Sequence, residues 1–194
     1  MLSRIVEVAS GQTFDAFLRE RVFGPLGMTE TTFWPTAAQR VRLVSSYVAQ
    51  NGELAPRPNP DSMSGERYFS AAGGLMTTAE DYARFAMMLA AGGELDGVRI
   101  LSPRSVEMMR SVFVPDTWPG RQPGEGFGLG VRVIENAAAR RTWLSEGSFG
   151  WSGLYGTHFW VSPREKLVGI LLAQTSVRAL LDDFETAVMQ AVVD

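Results

Sequence analysis

The sequence predicts an α+β protein in which helices and loops come first and an antiparallel sheet follows. Three observations predict this class. Apolar residues recur at helical spacing in three segments before residue 110, which is typical of amphipathic helices. After Gly126 the apolar spacing changes to every second residue, which is typical of strands. The last stripe, from Leu180 to Val193, returns to helical spacing and predicts a closing helix.

Composition narrows the classes of function. The chain has 194 residues, of which 45% are hydrophobic, and this is long enough for one ordinary globular domain with a core. Its net charge is −3 and its basic residues are scattered, so it lacks the basic face on which nucleic-acid binding depends. It has no cysteine and one histidine, which excludes disulfides, thiolate nucleophiles and histidine-rich metal sites. We therefore expect no metal, no cofactor and no nucleic-acid partner.

The N-terminal residues do not have the pattern of a signal peptide. Arg4 and Glu7 interrupt the segment where a signal peptide needs a continuous apolar run. No later apolar segment approaches the length of a membrane span. For the chain as given, we therefore expect a cytoplasmic location and no membrane partner.

The first half predicts helices separated by irregular segments. Thr13 is a suitable N-cap for a helix that Gly24-Pro25 stops. The following fifty residues contain stretches rich in proline and serine, which predict a long irregular connection. Thr78 and Asp81 form the pattern of a capping box at the start of a second helix, which Gly92-Gly93 ends.

A turn and a third helix follow. The sequence Leu95-Asp96-Gly97-Val98 predicts a tight turn. Ser102 followed by Pro103 predicts the start of a short helix that extends to Met109. This helix completes the mainly helical part of the chain.

The second half predicts the sheet. The segment "FGLGVRVI" predicts a strand with one apolar face, made of Phe127, Leu129, Val131 and Val133. The segments "GTHFWVSP" and "KLVGILLAQ" predict two further strands, joined by a turn from Ser162 to Glu165. Because "LVGILLA" is apolar on both faces, this strand is expected to be central and covered on both sides in the intact fold.

A catalytic triad would have to use His158, the only histidine, as its base. Ser152 is six positions away, and an extended chain would separate the two residues by roughly 20 Å. On that estimate they do not form a hydrogen bond, so His158 is interpreted as an ordinary sheet histidine and Ser148 and Ser152 as turn or strand residues. The carboxylate pairs Glu80-Asp81 and Asp182-Asp183 lie in first turns of predicted helices, where the helix dipole accounts for them.

Three segments of the chain follow one another as "FLRERVFGPLGMTETTF", "YFSAAGGLMTTAEDYARFAMMLAAGG" with "GVRILSPRSVEMM", and "GSFGWSGLYGTHFWVSPREKLVGILLAQ". In this order they resemble the C-terminal half of the serine β-lactamase-related hydrolases. That family includes class C β-lactamases, D-alanyl-D-alanine peptidases and β-lactamase-like esterases. The resemblance implies a single partial domain over residues 1–194 with a β-lactamase/transpeptidase-like fold. Residues 1–114 would be mainly helix and loop, and residues 127–194 an antiparallel sheet with a C-terminal helix packed on it.

The triplet Trp151-Ser152-Gly153 resembles the third motif of that family, a Lys/His/Trp-x-Gly triplet on a strand that forms one wall of the active site. The tryptophan version resembles the esterase branch more than the lactamases with Lys-Thr-Gly. The resemblance implies that the glycine lets substrate lie against the strand and that the N–H of Leu154 is one oxyanion donor. The implied partner is a small-molecule ester or amide, cleaved through an acyl-enzyme in the intact parent.

The family's nucleophile motif, Ser-x-x-Lys, does not occur in these residues. Lys166 is the only lysine, and Pro163 stands three positions before it. Tyr68-Phe69-Ser70 is the only Tyr-x-Ser sequence, but it lies downstream of the place where the family has its catalytic tyrosine. We therefore expect that the chain begins well inside the parent fold, lacks both main catalytic motifs and is inactive or nearly so alone.

The strand from Leu167 to Gln174 would normally have a further strand beside it in that family. Without one, it is an edge that predicts a homodimer or association with a complementing N-terminal fragment. Three functions remain open: part of a serine hydrolase of the carboxylesterase or β-lactamase type, a binding or assembly module that keeps the Trp151 groove, and a hydrolase whose nucleophile is Ser148 or Ser152. The choice between ester, β-lactam and D-amino-acid peptide substrates is open too.

Overall fold

The computed structural model confirms the α+β class. It describes residues 1–57, 69–175 and 177–193, and these form two compact units, Met1–Arg84 and Phe85–Asp194. The helices of the described residues are α1 (Leu2–Ser10), α2 (Phe14–Leu18), α3 (Gly24–Leu26), α4 (Ala37–Arg40), α5 (Ala79–Ala90), α6 (Pro103–Met109), α7 (Ala137–Arg140) and α8 (Ala179–Gln190). The single domain stays a prediction.

The strands belong to two hairpins and one larger sheet. They are β1 (Ser46–Gln50), β2 (Glu53–Arg57), β3 (Glu94–Leu95), β4 (Val98–Arg99), β5 (Glu125–Phe127), β6 (Arg132–Ile134), β7 (Phe149–Ser152), β8 (Thr157–Ser162) and β9 (Leu167–Leu172). The hairpins are β1-β2 and β3-β4, and the larger sheet is antiparallel in the order β5-β6-β7-β8-β9.

The first unit corrects two predictions. The predicted stop at Gly24-Pro25 is wrong, because α2 continues through a π-helical segment (Arg19–Phe23) into α3. The N–H of Gly24 reaches back five residues to the carbonyl of Arg19, and Pro25 lies in the first turn of α3, where a missing N–H costs little. The helix ends instead at Gly27, whose φ of +67° suits a glycine C-cap.

The connection predicted to be irregular contains a hairpin. Strands β1 and β2 pair antiparallel around Asn51 and Gly52, whose φ values are +52° and +84°. Both residues therefore have the left-handed conformation of a type I′ turn, for which Asn-Gly is the preferred pair. The signal was present in the sequence, but the surrounding prolines and serines obscured it.

The predicted helix starts and the predicted turn are confirmed. The N–H of Asp81 donates to the Thr78 hydroxyl at 3.2 Å. The Ser102 hydroxyl accepts from the N–H of Ser105 at 3.0 Å at the start of α6. The two-residue turn between β3 and β4 has Asp96 and Gly97 at positive φ, as a type I′ turn requires.

The dipole explanation of Asp81 is incomplete. Its carboxylate accepts hydrogen bonds from the N–H of Glu30 and from the hydroxyl of Thr31, both at 2.8 Å. These bonds join α5 to a segment about fifty residues earlier in the chain. Asp81 therefore links distant segments within the first unit.

The second unit corrects the single strand predicted for "FGLGVRVI". Strand β5 ends at Phe127 and β6 begins at Arg132, so the residues between them form a turn, with Gly130 at a φ of +83°. Leu129 lies in that turn and its side chain is half exposed. The alternation of apolar residues was interrupted by two glycines, and these mark the turn.

The C-terminal helix packs on the sheet through a compact apolar core. Ile134, Leu144 and Trp160 are fully buried, and Phe184 and Val188 of α8 pack against them. The Trp160 and Phe184 rings meet edge to face with centroids 5.5 Å apart. Gly169 in β9 leaves room for the Trp160 indole, because a Cβ atom built at Gly169 would lie 2.2 Å from that ring. The predicted helix on the sheet is thereby confirmed.

Strand β9 is an edge of the sheet in the described residues. It pairs with β8 from Leu167↔Ser162 to Leu172↔Thr157 and has no strand on its other side. Its residues are apolar on both faces. Among the described helices, none has the length and apolar character that crossing a bilayer requires, and the cytoplasmic location stays a prediction.

Replacing Gly169 by Ala is expected to lower the free energy of unfolding by about 1–3 kcal/mol, because the added methyl group collides with a buried indole that has no space to move. Urea unfolding followed by tryptophan fluorescence measures the change. Gly73→Ala is the matched control, since a Cβ atom there meets nothing within 4 Å. Equal stability of the two variants would contradict the packing argument.

Candidate active site

The Trp151-Ser152-Gly153 motif lies where one edge of β7 becomes open. Strand β6 pairs with β7 only at Val133↔Phe149 and Arg132↔Gly150. From Trp151 onward, that edge has no strand neighbour among the described residues. The open edge offers backbone groups to an extended ligand, as strand edges do in β-augmentation.

The Trp151 side chain forms an aromatic wall beside this edge. It is 44% exposed and meets Phe127 of β5 edge to face, with ring centroids 5.0 Å apart. The guanidinium of Arg121 lies over the other ring of this pair, 5.1 Å from the centroid of Phe127. These contacts hold the indole in place while leaving part of its face available to a ligand.

Gly153 and Leu154 follow at the tip of the β7-β8 hairpin. The N–H of Gly153 donates to the carbonyl of Thr157 at 2.7 Å. A Cβ atom at Gly153 would lie 2.2 Å from the Thr157 hydroxyl, so any larger residue there would displace that side chain. The N–H of Leu154 makes no hydrogen bond within the described part of the chain and is available as a donor.

The predicted separation of Ser152 and His158 is wrong. Their side chains are hydrogen bonded, with 2.9 Å between Ser152 Oγ and His158 Nδ1. The two residues are six positions apart, but the chain reverses between them, and the antiparallel register places Ser152 directly opposite His158. Residues that face each other across an antiparallel pair have Cβ atoms about 5 Å apart, not the roughly 20 Å of an extended chain.

The other side of the imidazole contacts a carboxylate on α8. His158 Nε2 lies 2.8 Å from Glu185 Oε1, and both side chains belong to residues that are 3% exposed. Glu185 also accepts hydrogen bonds from Arg132 of β6, at 2.5 Å, and from the Thr142 hydroxyl, at 3.4 Å. Sequence analysis missed Glu185, because its position within a helical pattern gave no sign of these partners.

The ionisation of the Glu185 carboxylate follows from its surroundings. Burial by itself would raise the pKa of Glu185, but the hydrogen bond from His158 and the charge and hydrogen bond of Arg132 outweigh it and hold that pKa below its ordinary value. An ionised carboxylate only accepts hydrogen bonds, so the Nε2 of His158 carries a hydrogen. In the neutral imidazole, Nδ1 then has the lone pair that accepts the Ser152 hydroxyl proton.

Arg132, which contacts Glu185, also belongs to a larger ionic cluster. Glu125 of β5 accepts from Arg140 at 2.7 Å and from Arg132 at 3.4 Å, and Arg140 reaches Asp182 of α8 at 3.4 Å. Burial alone would lower the pKa of the Arg140 guanidinium. The hydrogen bond to Glu125 and the negative charges of Glu125, Asp182 and Glu185 outweigh burial and raise that pKa. Asp182 therefore contacts a cation, in addition to lying near the helix N-terminus.

Ser152, His158 and the cluster line one cavity of about 490 Å³ within the second unit. Trp151 lines the same cavity, as does Arg178 at the start of α8. The structure thus brings the predicted motif together with a buried acid–base pair. The predicted roles of Trp151, Ser152, Gly153 and Leu154 stay predictions.

The remaining candidates are less suited to chemistry. Ser148 is fully buried and its hydroxyl lies 3.0 Å from that of Ser162, so it is enclosed in the core. Tyr68 lies outside the described residues. In the described ranges, no group of three or more acidic or histidine side chains could hold a metal ion.

The sheet covered by α8, with a Trp-Ser-Gly triplet on a strand whose edge is open, defines a β-lactamase/transpeptidase-like fold. A family model described as Beta-lactamase matches residues 1–193. The chain therefore belongs to the β-lactamase family, as the resemblance of its three segments predicts.

Individual relatives agree with this family. Protein Rv1367c of Mycobacterium tuberculosis is 34% identical over 190 residues, which cover 90% of this chain and 45% of the relative. Penicillin-binding protein 4 of Amycolatopsis lactamdurans is 38% identical over 131 residues, covering 66% of this chain and 34% of the relative. The structure of EstCE1, a hydrolase with promiscuous acyltransferase activity, has the same fold, with a TM-score of 0.85 at 22% identity over 98% of this chain and 53% of that one. The chain thus spans about half the length of the relatives it matches.

Replacing Glu185 by Gln is expected to lower the free energy of unfolding near neutral pH by about 3 kcal/mol, because buried Arg132 then keeps only its longer contact with Glu125, at 3.4 Å, as a counter-charge. Since the pKa of Glu185 is lower in the folded protein than in the unfolded chain, its contribution is complete above the ordinary value of 4.5 and is lost as the pH falls below it. The difference between the wild type and the variant should therefore be constant near neutral pH and shrink below pH 4.5.

Urea unfolding at a series of pH values measures this difference. Asp183→Asn is the control, because Asp183 is an exposed carboxylate on the same helix. A difference that grows as the pH falls would contradict the assignment of Glu185 as the ionised member of the buried pair.

Proposed function

We propose that this chain supplies the sheet side of the active site of a β-lactamase-like serine hydrolase that forms an acyl-enzyme. The observation that carries the proposal is the open edge of β7 at Trp151, followed just beyond the strand by the N–H of Leu154, which makes no hydrogen bond among the described residues. Such an edge can hold an acyl group in extended form, and a fixed N–H can stabilise the oxyanion that develops on its carbonyl. The substrate is a small ester or amide.

The wall favours an ester. The resemblance of the triplet to the family's third motif implies that Trp151 corresponds to the lysine of the lactamases. An indole offers an apolar face with no positive charge to pair with an anionic substrate. The partly exposed face of the ring suits the apolar part of an acyl or alcohol group. The likeness to EstCE1, which is a hydrolase with acyltransferase activity, supports an acyl-transfer reaction.

The nucleophile of this reaction comes from outside these 194 residues. No Ser-x-x-Lys sequence occurs here, since Lys166 is the only lysine and follows Pro163 by three positions. The chain covers 45% of protein Rv1367c, so the relatives have more than half of their length beyond the matched part. In this reaction the isolated chain is inactive and becomes active when a complementing part with the Ser-x-x-Lys motif joins it.

A binding or assembly module is the second candidate. The same open edge and indole would hold an acyl ligand whether or not a nucleophile is present. Titration of the isolated chain with a short-chain acyl amide, followed by tryptophan fluorescence, tests this role. Binding that Trp151→Ala abolishes, together with an inactive complemented protein, would favour the module over the hydrolase.

Removing the indole is expected to lower kcat/KM for p-nitrophenyl butyrate about thirtyfold, which corresponds to about 2 kcal/mol of transition-state binding. The protein to test joins this chain to the uncovered part of a relative that carries a Ser-x-x-Lys motif. Trp151→Ala is compared with Trp143→Ala, a matched control because Trp143 is an exposed tryptophan outside the cavity. A folded, inactive fusion, or equal rates in the two variants, would contradict the proposal.

We propose that β9 joins a partner strand, either from the complementing part or from a second copy of this chain. The strand is apolar on both faces and has an open edge in the described residues, which is the usual basis for pairing between chains. Light scattering should show the isolated chain changing from monomer to dimer as its concentration rises. Ile170→Lys should keep it monomeric, since an edge lysine opposes pairing. A monomer at every concentration would contradict self-association.

A further inference from the structure

We propose that Ser152, His158 and Glu185 form a second nucleophilic site, at which short-chain carboxylic esters acylate Ser152 without any Ser-x-x-Lys serine. The site is complete within the second unit of this chain. The inference is independent of the proposed function, in which Trp151 and Leu154 act on a carbonyl attacked by a different serine. It assigns an activity to the isolated chain. The reaction of the proposed function, by contrast, needs a complementing part that carries the Ser-x-x-Lys motif.

The geometry is that of a nucleophile, a base and a group that orients the base. The hydroxyl of Ser152 lies 2.9 Å from one ring nitrogen of His158, and the other nitrogen lies 2.8 Å from Glu185. Both distances are within the range in which a base takes a proton from a serine and a carboxylate holds the imidazole. The three residues come from two neighbouring strands and α8, so rigid elements fix their positions.

When the imidazole is neutral, an ionised Glu185 selects the tautomer that activates a serine. Arg132 and His158 keep Glu185 ionised, so Nε2–H of His158 donates to the carboxylate and Nδ1 accepts from Ser152. The ring is reversed relative to the usual serine hydrolase arrangement, in which Nε2 faces the serine, but either nitrogen can accept the proton. Since His158 is 3% exposed, bulk water does not compete for that nitrogen.

The serine, unlike its base, is accessible. Ser152 is partly exposed and lines the cavity of about 490 Å³, which is large enough for a short acyl ester. Arg178 lines the same cavity, is exposed, and has no hydrogen bond or ion pair with any described residue. Its guanidinium is therefore a cation of the same cavity, and a cation there would stabilise the negative charge that develops on the acyl oxygen. Ser148, by contrast, is fully buried against Ser162 and does not line this cavity.

The reaction balances with these groups alone. Ser152 Oγ bonds to the acyl carbon while its proton moves to His158 Nδ1, and the alkoxide of the ester leaves with that proton. Water then attacks the acyl-serine, gives its proton to Nδ1, and releases the carboxylic acid as the proton returns to Ser152 Oγ. Glu185 stays ionised throughout and stabilises the imidazolium that forms in each half of the reaction.

A fluorophosphonate tests the first half of this chemistry on the full 194-residue chain. Ser152 Oγ bonds to phosphorus, the P–F bond breaks, fluoride leaves, and the serine proton goes to His158. Intact mass should show one adduct per chain, and peptide mapping should place it on Ser152. The urea-unfolded chain gives the rate for serines that nothing activates, and the folded chain should react at least about a hundredfold faster, as expected when a general base contributes.

Variants show whether the relay is responsible. Ser152→Ala should remove the adduct, and His158→Gln should slow labelling to the unfolded baseline while circular dichroism confirms that it is folded. If His158→Gln does not fold, the proposal is tested on the wild type alone. It then requires that the adduct map to Ser152 and that the folded chain be labelled faster than the unfolded chain. No adduct on the folded wild type, an adduct on another serine, or a folded His158→Gln that labels at the wild-type rate would overturn the proposal. The labelling uses the isolated chain, which has no Ser-x-x-Lys sequence, whereas the proposed function is tested on the fused protein, so failure here and failure of the proposed function are distinguishable.

Discussion

The second unit depends on one buried carboxylate. Glu185 of α8 is bonded to Arg132 of β6 and to His158 of β8, so a single residue of the helix joins two strands that lie on either side of β7. A buried charge is tolerated only where its partners satisfy it, and here they do so from fixed positions on the sheet. The apolar contact of Phe184 with Trp160 supports the same join from the neighbouring position on α8.

This join sets the position of the strand that carries the motif. Strand β7 lies between the two strands that Glu185 connects, and Ser152 is hydrogen bonded to the same histidine. Adjacent residues of a strand point to opposite faces. Trp151 therefore forms the wall beside β5, while Ser152 faces the histidine and the helix. The proposed hydrolase wall and the proposed second nucleophile are adjacent residues of one strand, and both line the same cavity.

The same arrangement explains how a chain that spans about half of its relatives can keep a defined site. The ring contacts of Trp151 and the hydrogen bonds of Ser152, His158 and Glu185 described above lie within residues 121–185, inside the second unit. The parts of the family's chemistry that these residues do not carry concern the nucleophile, for which the sequence has no Ser-x-x-Lys. Membership of the β-lactamase family gives the fold, and in the proposed function the residues on β7 supply the sheet side of the site.

The sequence by itself determined the features that depend on neighbouring residues. Helix starts at Thr78 and Ser102 and the turn at Asp96 were predictable, because caps and turns are local interactions. The Asn51-Gly52 pair is also a local signal for a hairpin, although the sequence analysis predicted an irregular connection there. Only the tertiary structure decided the pairing of Ser152 with His158 and of His158 with Glu185. Strand register and helix packing bring together residues six and 27 positions apart, and distance along the chain does not predict either contact.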